Sequence, residues 1–285
     1  LLDKSFLNKL NTLKLNYRLS INKGYSGGRK SNAKGSSSEF SDFREYIHGD
    51  DFRKIDWNAY GRFEKLYVKE FMEEREVLIN IFLDNSKSID FGMPQKAEFL
   101  KNLALAFSYI GLNNLDRINL YYGEESNLKE SGYLRSKNSL NKVIELLDSL
   151  CFQNKTDIFT LIEKRFYKPG ISIIISDLFT DEFQNIIKYL SYMNQKIIVI
   201  HLLDKKEIKP DLIGDLRLID SETLEDNDIS INRAILNSYE NTFKNFLKGI
   251  KETTKKYGAI YTLITNEFSM EKIIFERLMG AGILR

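Results

Sequence analysis

The chain has 285 residues, 42% hydrophobic and 29% charged, which fits one large globular domain or two modest ones and excludes disorder as the main state. Lys and Arg number 42 against 40 Asp and Glu, so the net charge of +2 supplies no overall drive toward nucleic acid or an anionic membrane. The single cysteine, Cys151, excludes an internal disulfide, and two histidines are too few for an ordinary zinc centre, a composition that fits a reducing, cytoplasmic setting.

In chain order, residues 3–19 place Phe6, Leu7, Leu10, Leu13 and Tyr17 at helical spacing among Lys and Asn, which predicts an amphipathic helix that docks on something. Residues 22–38 hold four glycines and five serines and read as a loop or linker. Residues 1–38 carry eight basic side chains and one acidic one, Asp3, so this arm is basic. The basic residues lack an interleaved stacking platform and read as a solvated face, so no nucleic-acid partner is expected. No apolar run approaches the roughly 20 residues that span a bilayer, and residues 1–19 have no apolar signal core, so neither a membrane nor a targeting segment is expected.

From residue 77 the pattern changes. Val77–Leu83 is a mostly apolar run ending in Asp84, and similar runs recur at 171–176 and 196–203, as buried parallel strands require. Helical patterns lie between and around them: Leu100, Leu103, Ala104, Phe107 and Ile110; then Leu140, Val143, Ile144 and Leu147; then Phe183, Ile186, Ile187 and Leu190. A turn-rich excursion follows, with a hairpin expected from Leu216, Leu218, Thr223 and Leu224, then a long helix carrying Ile231, Ile235, Tyr239, Phe243, Phe246, Leu247 and Ile250. A strand at 259–264 and a helix through Ile273, Ile274 and Leu278 close the chain. Alternation of strand and helix predicts an α/β fold with a doubly wound, mostly parallel sheet over 77–285, including a small insertion near 204–230. Residues 1–76 form the preceding helix, Gly/Ser loop and charged extension.

The first strand delivers Asp84-Asn85-Ser86-Lys87-Ser88 to its carboxyl end, where open α/β sheets place ligands. Thr156-Asp157 stands at the head of a helical pattern over 157–165, and Asp177 ends the strand at 171–176. Hard oxygens from three loops suit Mg²⁺. This D-x-S-x-S, Thr, Asp order resembles the von Willebrand factor A domain with its metal-ion-dependent adhesion site. The resemblance implies that Ser86, Ser88 and Thr156 bind Mg²⁺ (or Mn²⁺ or Ca²⁺) through hydroxyls, with Asp84 and Asp177 acting directly or through waters, and that a partner's carboxylate completes the ion's shell. One departure is that Asn154 and Lys155 stand where that family often has glycines.

Ahead of the sheet, residues 35–57 read Gly35, Glu39-Phe40, Arg44, Tyr46, Gly49-Asp50-Asp51, Arg53 and Ile55-Asp56-Trp57. This block resembles the signature of the bacterial and archaeal domain-of-unknown-function-58 family, G-x-x-x-E-F-x-x-x-R-x-Y-x-x-G-D-D-x-R-x-I-D-W, placed before a von Willebrand-like sheet. Leu218-Ile219-Asp220-Ser221-Glu222-Thr223 resembles its downstream signature. Alternating Arg and Asp among aromatics suggest guanidinium–carboxylate pairs that lock the extension; on a second reading Arg44, Asp50, Asp51, Arg53, Asp56 and Arg62 form a partner-binding surface. Trp57 reads as a core anchor.

The family resemblance implies a non-enzymatic, cation-dependent adaptor for a MoxR-type AAA+ ATPase or its client in chaperone-like assembly. The alternative is a Mg²⁺-dependent phosphohydrolase with Asp84 as nucleophile, although Ser86 stands where a general acid two residues on is needed. His48 and His201 lack a nucleophile motif nearby, with His201 expected as a satisfied interior residue. Ser26-Gly27-Gly28-Arg29-Lys30 does not match a phosphate loop.

Overall fold

The computed structural model describes residues 1–16, 39–72, 76–124, 127–152, 158–219 and 226–285. The chain divides into two compact units, Leu1–Ser20 with Val77–Arg285, and Ile21–Glu76.

At the amino terminus α1 (Lys4–Lys9) is capped by Asp3, whose side chain accepts from the Phe6 N–H, and one 3-10 turn (Leu10–Thr12) follows. The helical periodicity over 3–19 is thus realised only to residue 12. Leu13 and Leu15 continue in extended chain, Leu15 bridging Leu284, with Lys14 and Arg285 exchanging two backbone hydrogen bonds of 3.0 Å. The apolar face docks on the larger unit: Leu7, Leu10, Leu13 and Leu15 are buried in its core beside Ile283 and Leu284. Each buried leucine contributes roughly 2 kcal/mol of apolar burial. Tyr17 and the Gly/Ser stretch lie outside the described residues.

The smaller unit contains β1 (Glu39–Glu45), α2 (Trp57–Phe63) and β2 (Tyr67–Met72), with β1 and β2 antiparallel. Trp57 is 63% exposed, which corrects its reading as a core anchor. The physical reason is size: α2 buries none of its residues, and this unit's buried apolar side chains among the described residues are Ile55 and Val68. So small a core cannot enclose an indole.

The larger unit is built on β3 (Leu78–Leu83), β4 (Arg117–Glu124), β5 (Asn127–Glu130), β6 (Gly170–Ser176), β7 (Gln195–Leu203) and β10 (Ile260–Thr265), a single sheet in the order β10-β7-β6-β3-β4-β5. All neighbours pair in parallel except β5, which runs antiparallel to β4 at the edge. The predicted doubly wound, mostly parallel sheet is what forms. β8 (Gly214–Ile219) and β9 (Asp226–Ile231) form a hairpin in the insertion, with its second strand beyond the expected Thr223 and Leu224, which fall outside the described residues; Ile231, expected on the long helix, ends β9 instead, because Asn232 caps the helix that begins at Arg233.

Strand periodicity sends alternate residues to opposite faces. Ile79, Ile81 and Leu83 pack into the core shared with α3 (Lys96–Asn113), α4 (Leu140–Ser149), α9 (Met270–Lys272) and the π-helical turn Ile273–Leu278. Phe82, Ile174 and Val199 face the second core, covered by α5 (Ile158–Ile162), α6 (Phe183–Tyr192) and α8 (Arg233–Lys256). A short α7 (Lys205–Ile208) follows β7. Among the described residues, no helix is long and apolar enough to cross a membrane.

Candidate functional site

The strand order fixes where a ligand belongs. From β3 the chain moves outward to β4 on one side, whereas from β6 it moves to β7 on the other, so the connections diverge between neighbours β3 and β6. At such a divergence open α/β sheets place the ligand crevice, beyond the carboxyl ends of the two strands. Asp84 leaves β3 and Asp177 leaves β6, one on each side of it.

Asp84 is buried, its N–H donating to Ile175 O at 3.1 Å. Its Oδ1 accepts from the Ser86 N–H at 3.1 Å and its Oδ2 from the Ser176 hydroxyl at 2.5 Å. Burial, then the negative charge of Asp177, pushes the Asp84 carboxyl up to about 7. The Ser86 and Ser88 hydroxyl oxygens lie 2.9 Å apart as the chain enters the 3-10 turn Lys87–Ile89. Thus one buried carboxyl and two neighbouring hydroxyls gather within five residues.

On the facing side, Asp177 Oδ2 lies 3.0 Å from the Nζ of Lys96, a fully buried lysine. Ser176 Oγ accepts from the Leu178 N–H at 2.9 Å, and Leu178 adopts a φ of 59°, a left-handed conformation that strains a branched side chain. His201 is satisfied as expected: Nε2 donates to Asp177 O at 2.8 Å, which leaves Nδ1 to accept from the Tyr261 hydroxyl at 2.9 Å. Burial, opposed by Asp177, lowers the imidazole to about 4, so it is neutral.

The donors suit a hard divalent cation. Hydroxyls and a carboxyl are oxygen ligands, and a cation beside Asp84 would relieve the repulsion from Asp177 that disfavours its ionised form. Among the described residues no group of three or more His, Cys, Asp and Glu side chains is placed to hold a metal, so such side chains alone would not make a shell here. Thr156 and Asp157 lie outside the described residues; the helix expected over 157–165 is described as α5, Ile158–Ile162.

The charged motif forms a locally paired network. Arg44 grips Asp50 bidentately at 2.7 and 2.9 Å, and Asp50 also accepts from the Ile47 N–H. Asp51 accepts from the Arg53 N–H at 3.0 Å, and Asp56 caps α2 by accepting from Asn58 and Ala59. The side chains of Arg53 and Arg62 are exposed. The motif's carboxylates therefore fix turns and a helix cap, while Phe52, Trp57 and Phe63 stand exposed around them.

The family described as "Protein of unknown function DUF58" matches residues 42–246. The chain belongs to this family. The uncharacterized protein Rv1480 of Mycobacterium tuberculosis (strain ATCC 25618 / H37Rv) is 21% identical over 270 residues, covering 90% of this chain and 84% of the relative. The uncharacterized protein Mb1516 of Mycobacterium bovis matches to the same extent. Among solved structures, the conserved hypothetical protein BatB from Bacteroides thetaiotaomicron is 14% identical with a TM-score of 0.45, covering 72% of this chain and 98% of its own. The VWA domain of SpRpn10 is 15% identical with a TM-score of 0.35, over 45% of this chain and 76% of its own.

Three residues of this DUF58 chain that sequence reasoning passed over organise the crevice. Asn85, an unspecified position of D-x-S-x-S, is buried and binds both backbone groups of Gly123 as well as Cys151 O. Ser176 holds Asp84, and Lys96 holds Asp177. Their sequence signal was faint, since a Ser at a strand end and a Lys at a helix start are ordinary surface residues.

Proposed function

We propose that this DUF58 chain is a non-enzymatic protein-interaction module whose docking face is the carboxyl edge of the sheet, and that a divalent cation, Mg²⁺ first, mediates the contact. Ser86 and Ser88 would hold the ion through hydroxyls and Asp84 through its carboxyl, with Thr156 as a further hydroxyl donor and Asp177 acting through a water. The bound ion would supply an electrophilic point for a carboxylate from the partner. The observation that carries this reading is the 2.9 Å approach of Ser86 Oγ and Ser88 Oγ beside the buried Asp84 carboxyl.

Exposed apolar side chains on the neighbouring loops support a macromolecular partner. Phe91, Met93 and Phe179 stand on the loops that follow β3 and β6, Met93 with 95% of its surface open. Side chains of this kind are enriched at the centres of protein interfaces. The partner we propose is a MoxR-type AAA+ ATPase or its client. A phosphohydrolase with Asp84 as nucleophile has less support, because position 86 carries a serine where a general acid is needed.

The test is binding of a purified MoxR-type ATPase in Mg²⁺, in EDTA, and with Asp84→Ala. Binding in Mg²⁺ that falls at least tenfold under the other two conditions supports the reading. Binding indifferent to all three removes the cation from the contact.

A further inference from the structure

Lys96 is the first residue of α3, and no part of it is open to solvent. Two physical costs attach to it there. Removing an ammonium from water costs several kcal/mol after relaxation, and a positive charge in the first turn of a helix opposes the macrodipole. A residue that breaks local rules so plainly is expected where function sets the sequence.

Two carboxylates offset these costs. Lys96 Nζ lies 3.0 Å from Asp177 Oδ2 and 2.6 Å from Glu207 Oε1. The other Glu207 oxygen accepts from the Asp204 N–H at 2.6 Å, closing the capping box of α7, and the Lys96 N–H donates to Phe91 O at 2.9 Å. Lys96 thus ties together the segments that follow β3, β6 and β7, its ammonium reaching Asp177 and Glu207 and its backbone N–H holding Phe91.

We propose that Lys96 is a positioning residue that sets the ligand set and affinity of the candidate cation site, an inference that rests on Asp84, Ser86 and Ser88 being that site. As the buried counter-charge of Asp177, it holds this carboxylate off the divalent ion. The ion is then gripped by one carboxyl and hydroxyls, keeps most of its charge, and has room for an acidic group from outside. Lys96 and the divalent ion compete for Asp177, and Glu207 tilts the competition by drawing the ammonium toward α7.

The experiment is a Mn²⁺ titration of the full chain, followed by the electron paramagnetic resonance of free Mn²⁺, for wild type, Lys96→Met and Glu207→Gln. Proton double resonance counts the waters left on bound Mn²⁺. Lys96→Met is expected to bind Mn²⁺ at least tenfold tighter with fewer bound waters, because Asp177 becomes a ligand. Glu207→Gln leaves the ammonium to Asp177 alone and is expected to bind several-fold more weakly. A purely structural role for Lys96 weakens both variants. Wild-type binding with Lys96→Met unchanged or weaker overturns the role of Lys96 and leaves the cation site standing. Absence of Mn²⁺ binding in all three at millimolar concentration overturns the site and this inference together. Should Lys96→Met not fold, Glu207→Gln decides: affinity equal to or above wild type overturns the proposal.

Discussion

Asn85 and Gly123 exchange two hydrogen bonds of 2.8 Å, the side-chain amide donating to Gly123 O and accepting from Gly123 N. The amide imitates a strand backbone and fastens the loop that carries Ser86 and Ser88 to the end of β4. Its Nδ2 also reaches Cys151 O at 3.2 Å, on the approach to Thr156. Asn85→Asp would set a carboxylate against two carbonyl oxygens. The expected loss is about 2–4 kcal/mol by urea denaturation, together with weakened Mn²⁺ binding. Stability within about 0.5 kcal/mol of wild type would contradict this clamp.

Asp84 makes stability depend on the ion. Its folded-state pKa, about 7, exceeds the ordinary carboxyl value of 3.8, so its contribution is fully present below pH 3.8 and is lost as pH rises through 7. At pH 8 in EDTA the buried carboxylate therefore destabilises the fold, and Asp84→Asn is expected to gain roughly 1–2 kcal/mol. In Mg²⁺ the order reverses, because only the carboxylate is stabilised by the ion. Urea melts at pH 8 with and without Mg²⁺ read this directly; an Asn variant that is less stable in EDTA would contradict it.

His201 sets the acid limb. Its folded-state pKa, about 4, lies below the ordinary imidazole value of 6.5, so the unfolded chain binds the proton first and stability falls as pH drops from 6.5 toward 4. The fully developed loss approaches about 3 kcal/mol. His201→Gln, less stable at pH 7, is expected to flatten that limb, and a limb of unchanged steepness would assign the acid sensitivity elsewhere.

Gly92 has a φ of 93°, and a Cβ there would stand 2.3 Å from Asp204 Oδ2 and 2.6 Å from Asn266 Nδ2. Asn266 Nδ2 bridges Asp204 and Pro94 O at 2.6 Å each, so the loop is held by groups that Ala would displace. Gly92→Ala is expected to cost about 2–3 kcal/mol by chemical denaturation. A change under about 0.5 kcal/mol would show that the loop adjusts freely.

The central strands were legible because burial on both faces leaves long apolar runs: every residue of β6 is buried, and so are eight of the nine in β7. β4 and β5 are hidden in the sequence, since Arg117 and Asn119 interrupt the apolar pattern of β4 and β5 is a four-residue edge with Leu128 alone buried. The positions of Asp84 and Asp177 just past the ends of β3 and β6 are legible, because a carboxylate that closes a buried apolar run marks where the strand leaves the sheet. Lys96 is not, because its partners Asp177 and Glu207 lie 81 and 111 residues away. The left-handed turn at Leu178 was equally hidden, for leucine gives no sign of positive φ.

The central claim is one divalent ion between the loops after β3 and β6, and a crystal soaked in Mn²⁺ tests it most directly. The expected result is an anomalous peak about 2.0–2.3 Å from the hydroxyls of Ser86 and Ser88 and beside Asp84, absent in Asp84→Asn crystals. Full soaking with no peak there, or a peak that survives Asp84→Asn, contradicts a cation site at this edge.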